Sequence, residues 1–260
     1  MILLQVPKLS FDSEIAVAVI TPWLVMGISA IVVLIVAKLA NFSRQVTGAL
    51  LLVAVLGNTS FLGIPIVQNY YGSQALGYVV VYDQLGTFLA LATYGSLIVA
   101  IYTGDKSPSL QNIVTKILTF PPFIALIVAL ALIGKEFVTP IATFLQLLSM
   151  TIVPLALFAI GLQLKLKLPK PYFTPFAIAL SIKLVLAPLV ALLLMFILGY
   201  NSLVAKVSIL ESAMGPMITA AAVATTANLA PRLSVAIVGY GTLFTLITTG
   251  IWYLIIETFL

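Results

Sequence analysis

The sequence predicts an all-α polytopic membrane protein: eight transmembrane helices, inverted repeats, and two discontinuous helices that cross. Composition, the length of the apolar runs and an internal match between the two halves lead there. Of the 260 residues, 62% are hydrophobic and only 7% are charged, and the mean hydropathy is +1.24. A soluble domain carries about 25% charged residues, so a soluble globular fold is excluded. The apolar runs are continuous, with no period-two alternation, which excludes a barrel. Breaking the chain at its rare charged and Pro/Gly-rich points gives spans at 15–37, 47–70, 76–102, 113–134, 140–164, 173–198, 205–229 and 233–256. Each reaches the roughly 20 residues a bilayer requires. Short connections join them, so residues 1–260 form a single integral membrane domain with the lipid bilayer as its first partner.

The same counts exclude whole classes of chemistry. There is no Cys and no His, which removes structural zinc, thiol chemistry, Ser-His-Asp triads and haem ligation. A carboxylate-only metal site would have to come from seven Asp and Glu in total, and no metal site or resident cofactor is expected.

Orientation follows from the cations. Lys38, Arg44, Lys106, Lys116, Lys165, Lys167, Lys170 and Arg232 fall on one side; Lys8, Lys135 and Lys206 fall on the other. The first set marks the cytoplasmic face of a bacterial-type inner (plasma) membrane and leaves the C-terminus outside. Tyr70, Tyr71, Tyr200 and Trp252 then sit near outer span ends, as an interfacial belt would. The net charge of +5 is accounted for by this loop bias, and no basic face remains for nucleic acid.

A shift of 155 residues aligns the chain with itself. Gly86-Thr87 falls on Gly241-Thr242, Leu91 on Leu246, Thr93 on Thr248 and Gly95 on Gly250. The shift also carries 15–37 onto 170–192 and 47–70 onto 202–225, so spans one to three match spans six to eight. An odd number of crossings separates the copies, which gives them opposite orientation. Inverted repeats of this kind place a transporter's site at midplane between them. The first repeat, about 1–103, is incomplete beside the second, about 112–258: the spans at 113–164 have no earlier partner, and only Met1–Ser10 correspond to Ala156–Lys165. A complete first copy needs about 43 further residues, or about two helices. The expectation is that Met1 is not the ancestral start, or that the chain is a reduced member of a ten-helix group.

Two spans are broken near their centres. The second reads Gly57-Asn58-Thr59-Ser60-Phe61-Leu62-Gly63-Ile64-Pro65, and the seventh, at the corresponding place, reads Glu211-Ser212-Ala213-Met214-Gly215-Pro216-Met217-Ile218-Thr219. Proline removes an N–H and clashes with the preceding turn, and glycine relaxes the chain. Freed backbone groups at that depth are tolerated only against protein or in a wet cavity. A half-helix that restarts there presents a positive end suited to an anion. A simple proline kink is the alternative for either span alone; two at equivalent repeat positions favour a binding site where the helices cross. Asn58-Thr-Ser60 also matches a glycosylation sequon, but its depth in the membrane removes that reading.

These residues carry a family resemblance that spans nearly the whole chain. Gly57 to Pro65 resembles the Gly-Asn-Thr-Gly-Phe-Leu-Gly-x-Pro motif of the auxin efflux carrier family. Glu211 to Pro216 looks like that family's second crossover, with Gly215-Pro216 where Pro-Pro is frequent; Ser60 stands where the family often has Gly. Pro154 to Leu164 is similar to its pre-loop helix, and Met1-Ile-Leu-Leu to the tail of its second helix. The resemblance implies ten helices in two inverted five-helix repeats, akin to the bile-acid sodium symporter architecture, of which this chain lacks the first two. It implies a carboxylate at the crossover, near Asn58, Pro65 and Pro216. The scaffold half of related folds often dimerises, so a homodimer is allowed.

Three ionisable residues lie within spans: Asp83, Lys183 and Glu211. Lys183 is about ten residues into its span, about 15 Å deep. Burying it costs at least about 2.5–3.5 kcal/mol on an insertion scale, so it should meet a substrate carboxylate, stand in for a coupling cation, pair with Asp83 or Glu211, or snorkel to the interface. Glu211 precedes the second break, where protonation would couple transport to proton movement; the alternative is an outer residue facing water. Asp83, with Gln84 beside it, would line an outer vestibule or make a structural hydrogen bond. Gln68 and Asn69 would face that vestibule, with Gln146, Ser149 and Thr151 on the facing helix, unless they serve as caps or interhelical contacts.

The leading functional reading is a secondary carrier of a small organic anion working by alternating access. The substrate carboxylate would be met by half-helix N-termini and Asn58, with Thr59, Ser60 and Ser212 as hydrogen-bonding groups and Gly63, Pro65, Gly215, Pro216 and Thr219 shaping the site. A sodium-coupled or ion-exchanging carrier of the same fold is the alternative; Asn58, Thr59, Glu211 and Thr219 would supply oxygens. An intramembrane enzyme is disfavoured: no two intramembrane acids have Asp-x-x-Asp spacing, Gly-x-Ser-x-Gly is absent, and only Lys183 remains as a base. No Walker sequence is present, so ATP does not drive it.

Overall fold

A computed structural model describes residues 2–8, 15–103, 121–135, 137–151 and 172–260, with isolated positions at 111, 114–115, 118–119, 154–155 and 158. The expectations placed on Met1, Ser10, Lys106, Lys116, Lys165, Lys167, Lys170, the Lys8 side chain and most of 152–164 lie outside the described residues.

In hydrocarbon every backbone N–H must find its C=O within the protein, and the helix does this along its own length. Four helices are long and apolar enough to cross a membrane: α1 (Ile15–Leu39), α4 (Ser73–Thr103), α7 (Phe173–Leu198) and α10 (Pro231–Phe259). The second span is divided into α2 (Arg44–Val53) and α3 (Ile64–Tyr71), the seventh into α8 (Leu203–Ser212) and α9 (Ile218–Thr226). Of the fourth and fifth spans, α5 (Pro121–Ala131) and α6 (Thr139–Met150) are described. The chain is thus a polytopic all-α membrane protein, and among the described residues its one β pairing is an isolated bridge.

Element ends follow local chemistry. Ser43 caps α2 by accepting from the Val46 N–H at 3.3 Å. Gly199, at φ 70°, ends α7 in the left-handed conformation that glycine adopts freely. Side-chain contacts at the ends also establish which ends lie together. The Arg44 guanidinium donates to the Tyr102 and Ile101 carbonyls, so α2 begins where α4 finishes. At the opposite face Glu257 near the end of α10 accepts from Tyr71 at 3.3 Å and pairs with Lys206 of α8 at 3.0 Å. Tyr253 stacks on Tyr70 beside them, ring centres 4.3 Å apart.

Inside, two apolar layers are stacked along the helix axes. One joins Leu50 and Leu52 to Ala224, Leu233 and Ile237; the other joins Val67, Val79, Ala191, Val207 and Ile256. Buried polar groups, among them Asn58, Asp83, Lys183 and Glu211, come from the segments at the junction of the two layers. Outward faces are apolar as well: Ile20, Leu24, Ile31 and Ile35 of α1 are exposed, as lipid-facing positions should be. Small residues allow close approach inside. Gly86 of α4 lies directly beneath the Pro22 ring of α1.

A methyl group at Gly86 would meet that ring, and overpacking of this kind costs about 1–3 kcal/mol. Gly86→Ala should therefore lower the unfolding midpoint in detergent by several degrees. Gly27→Ala, on a lipid-facing position of α1 with nothing within 4 Å, should be neutral or gain up to about 1 kcal/mol of helix propensity. Equal midpoints for the two variants would contradict the packing described.

Candidate functional site

The two interrupted spans meet at their breaks. Gly57 and Pro216 form an antiparallel bridge, in which Asn58 N–H donates to the Gly215 carbonyl at 2.8 Å and Met217 N–H to the Leu56 carbonyl at 2.9 Å. Each break thereby supplies the partners that the other lacks. The approach is close because glycines line it. A Cβ on Gly57 would stand 3.0 Å from the Lys183 Nζ, and one on Gly241 of α10 would stand 2.5 Å from Pro216 Cδ. The Gly215 position is closed off by Thr245 Oγ1 and, at 3.1 Å, by the Gly241 carbonyl.

The half-helix ends are treated differently. A helix C-terminus leaves carbonyls without intrahelical partners. Near the end of α2, Tyr94 donates to the Leu51 carbonyl at 2.9 Å; at the end of α8, Lys183 donates to the Ser212 carbonyl at 3.3 Å. The ammonium thus sits at the negative pole of a helix, where a cation is favoured. On the other side of the first break a π-helical turn, Thr59–Gly63, leads into α3 with Pro65 in its first turn. That restart points its positive pole at the crossing.

The two buried carboxylates have opposite surroundings. Asp83 accepts from Thr59 Oγ1 at 2.5 Å, Ser60 Oγ at 2.6 Å and Gln84 Nε2 at 2.6 Å, and Thr87 Oγ1 lies 2.6 Å from Thr59 Oγ1. It is a satisfied group, and of the two roles the sequence left open the structural hydrogen bond is the one made: Asp83 is 5% exposed and bonded to groups at the crossing. Glu211 is wholly buried, and neither carboxylate oxygen has a hydrogen-bond partner. Its carboxylate lies against Gly63, so it does not face water. The pairing of Lys183 with Asp83 or Glu211 is not made; among the described residues the one ion pair is Lys206–Glu257. Asn58 is 2% exposed with its Nδ2 unpartnered. Ser212 is engaged by Tyr82 at 2.9 Å and by the Ser208 carbonyl at 2.8 Å. Thr219 is exposed on α9.

Two π-helical turns aim the ionisable groups. One, Asp83–Phe88, starts with Asp83; the other, Ile182–Leu186, contains Lys183. A π turn changes the helical hydrogen-bond register, and in each a tryptophan bonds a carbonyl. Trp23 Nε1 donates to Leu85 O at 2.9 Å, and Trp252 Nε1 to Leu184 O at 2.8 Å. Trp252 is 7% exposed, which corrects its assignment to an interfacial belt: its N–H is occupied inside the protein. Nothing in the sequence singled out Tyr82; at the second turn Pro188 has no N–H for the Leu184 carbonyl four residues earlier, which leaves that carbonyl for Trp252. Thr87, four residues after Asp83 and so on the same helix face, was the one partner that spacing would have found.

A cavity of about 880 Å³ opens beside α3 on the face that carries Tyr71. It reaches from Ser73 and Gln74 to Pro65 at the start of α3 and brings together Gln68, Asn69, Gln146 and Ser149. Thr151 does not line it; its hydroxyl bonds the Leu148 carbonyl at 2.7 Å.

The fold and this centre define a membrane protein built around two crossed, discontinuous helices, a class to which transport proteins belong. A family model described as "Membrane transport protein" matches residues 3–253, and the chain belongs to that family, the auxin efflux carriers. It is similar to an uncharacterized transporter of Methanothermobacter thermautotrophicus, 27% identical over 81% of this chain and 68% of the relative. An uncharacterized transporter of Methanocaldococcus jannaschii is 29% identical over 79% of this chain and 67% of its own length.

Two predictions follow from these contacts. Gly63→Ala should cost about 1–3 kcal/mol by driving a methyl group into the Glu211 carboxylate, and Glu211→Ala in the same chain should restore most of that loss. Strictly additive losses in the double-mutant cycle would show that the two positions do not touch. Trp252→Phe keeps the ring but strands the Leu184 carbonyl, at about 1–3 kcal/mol. Its detergent melting midpoint should fall clearly below that of the unaltered protein.

Proposed function

We propose that this chain is a secondary carrier of a small organic anion, a carboxylate, which moves by alternating access with its site at the two broken helices. The observation that carries the reading is the antiparallel junction of the breaks among buried polar groups, with a cavity leading to Pro65. In this reading the Tyr71 face is outer, and the cavity is the outer vestibule. The carboxylate settles at the positive pole where α3 restarts, within reach of the Asn58 carboxamide. One helix bundle then shifts against the other and exposes the site to the cytoplasm. The inverted repeat fits the antiparallel direction of the two breaks. The chain performs no covalent chemistry in this reading.

The stranded Glu211 carboxylate favours a second element, ion coupling. Holding an anion in such a place without a partner is costly, and a proton or a sodium ion bound with the substrate would offset that cost. Lys183 serves as a resident cation at the end of α8.

Thermal stabilisation of the purified protein by a panel of mono- and dicarboxylates, in sodium and in potassium, tests both elements. Carboxylates should raise the midpoint, and a sodium requirement would select sodium over proton coupling. Asn58→Ala removes a buried donor that has no partner, so the unliganded midpoint should stay level or rise. Half-saturating carboxylate should increase about tenfold or more, the worth of a hydrogen bond to a charged group. A flat panel with the unaltered protein would overturn the proposal.

A further inference from the structure

We infer that the cavity beside α3 selects polar substrates: organic acids that carry hydroxyl or carbonyl groups, rather than alkyl or aromatic acids. This rests on the carrier reading above and adds to it the nature of the substrate's body.

The lining is the evidence. Four carboxamides face the cavity, Gln68, Asn69, Gln74 and Gln146, together with the hydroxyl-bearing Ser73 and Ser149. The rest of the lining, Leu4, Ile64, Pro65, Leu76, Ala142, Met150 and Pro154, is apolar, and among the described residues no charged side chain and no aromatic ring lines the cavity. The carboxamides have no hydrogen-bond partner among the described residues. Each offers two donors and an acceptor, so together they match a solute that both gives and takes hydrogen bonds. An aromatic acid would find no ring to stack on, and an alkyl acid would strip water from these amides without replacing its hydrogen bonds.

The helical register sets the reach. Pro65, Gln68 and Asn69 are spaced three and four residues apart, so they share one face of α3. Gln146 and Ser149 share one face of α6 in the same way. One helical turn is about 5 Å. A carboxylate held at the level of Pro65 therefore brings the carbons two to four bonds away to the level of Gln68 and Asn69. That span suits a hydroxylated acid of about three to five carbons. Because no formal charge among the described residues lines the entry, capture should depend little on ionic strength.

The test compares matched acids on the unaltered protein in detergent. Lactate is set against propionate, glycerate against butyrate, with phenylacetate as the aromatic member and erythritol as an uncharged polyol. The hydroxylated acids should half-saturate the thermal shift at concentrations about tenfold lower than their deoxy partners. In Gln68→Leu/Gln146→Leu that preference should shrink to about twofold or less, with the unliganded midpoint retained because both side chains reach solvent. Propionate, butyrate or phenylacetate acting as well as the hydroxylated acids would overturn the inference and leave the carboxylate carrier standing. Stabilisation by erythritol with no response to any acid would overturn the carboxylate reading and, with it, the selection of hydroxylated acids. No response to any member would remove both.

Discussion

Breaking a helix in hydrocarbon leaves peptide groups that neither lipid nor water can satisfy, and the rest of this molecule is arranged around that cost. The Gly57–Pro216 junction returns two hydrogen bonds, Asn58 N–H to Gly215 and Met217 N–H to Leu56. Tyr94 and Lys183 take up carbonyls at the ends of α2 and α8. Other accommodations are steric. Glycines at 57, 215 and 241 let backbone, Pro216 and Lys183 crowd into a space that any Cβ would deny them. The polar layer between the two apolar clusters is the consequence of the breaks, since it collects the groups recruited to satisfy or surround them.

That economy is one-sided. Carbonyl ends are capped by side chains, and Asp83 is fully occupied by hydroxyls and an amide. Among the buried groups that remain without a partner in the described residues, Ser29, Ser202, Ser208 and Thr248 leave hydroxyls elsewhere, and the Asn58 amide nitrogen, the Gln84 amide oxygen and both oxygens of Glu211 lie at the crossing. A protein that tolerates a few unpaired groups in an otherwise satisfied interior has placed its unspent interaction capacity there, and such places are where ligands act.

The breaks themselves were legible because they require particular residues. Few side chains other than glycine and proline serve at those positions, so Gly57, Gly63, Pro65, Gly215 and Pro216 stand out in an otherwise uniform apolar background. The meeting of Gln68 and Asn69 with Gln146 and Ser149 was only one of two readings the sequence allowed, since polar residues near span ends serve equally as caps or interhelical contacts. The π turns were not legible. A π turn inserts one residue without altering composition, and it rotates every side chain beyond it. Asp83, the first residue of its turn, bonds Thr59 and Ser60, contacts that depend on the fold of the first break and not on spacing within its own helix. Trp252 illustrates a second kind of limit. An indole near a span end suits both the membrane interface and an internal carbonyl, and the Leu184 carbonyl, left without its usual donor by Pro188, decides between them.

The two π turns bear on how such a centre could move. Bundles that rock past one another keep their own hydrogen bonds, whereas a helix that changes register must exchange them. The Asp83 turn is tied to α1 through Trp23, and the Lys183 turn to α10 through Trp252. Both ties run among the helices that pack around the breaks, α1, α4, α7 and α10, and neither reaches α5 or α6. α5 reaches the Asp83 turn by a different contact, Phe123 against Phe88 with ring centres 6.4 Å apart, so a shift of α5 bears on that turn through packing rather than through a hydrogen bond. In the proposed carrier reading, a crossing that moved as a rigid unit would need no unfolding of the junction and would not re-expose the peptide groups that the bridge satisfies.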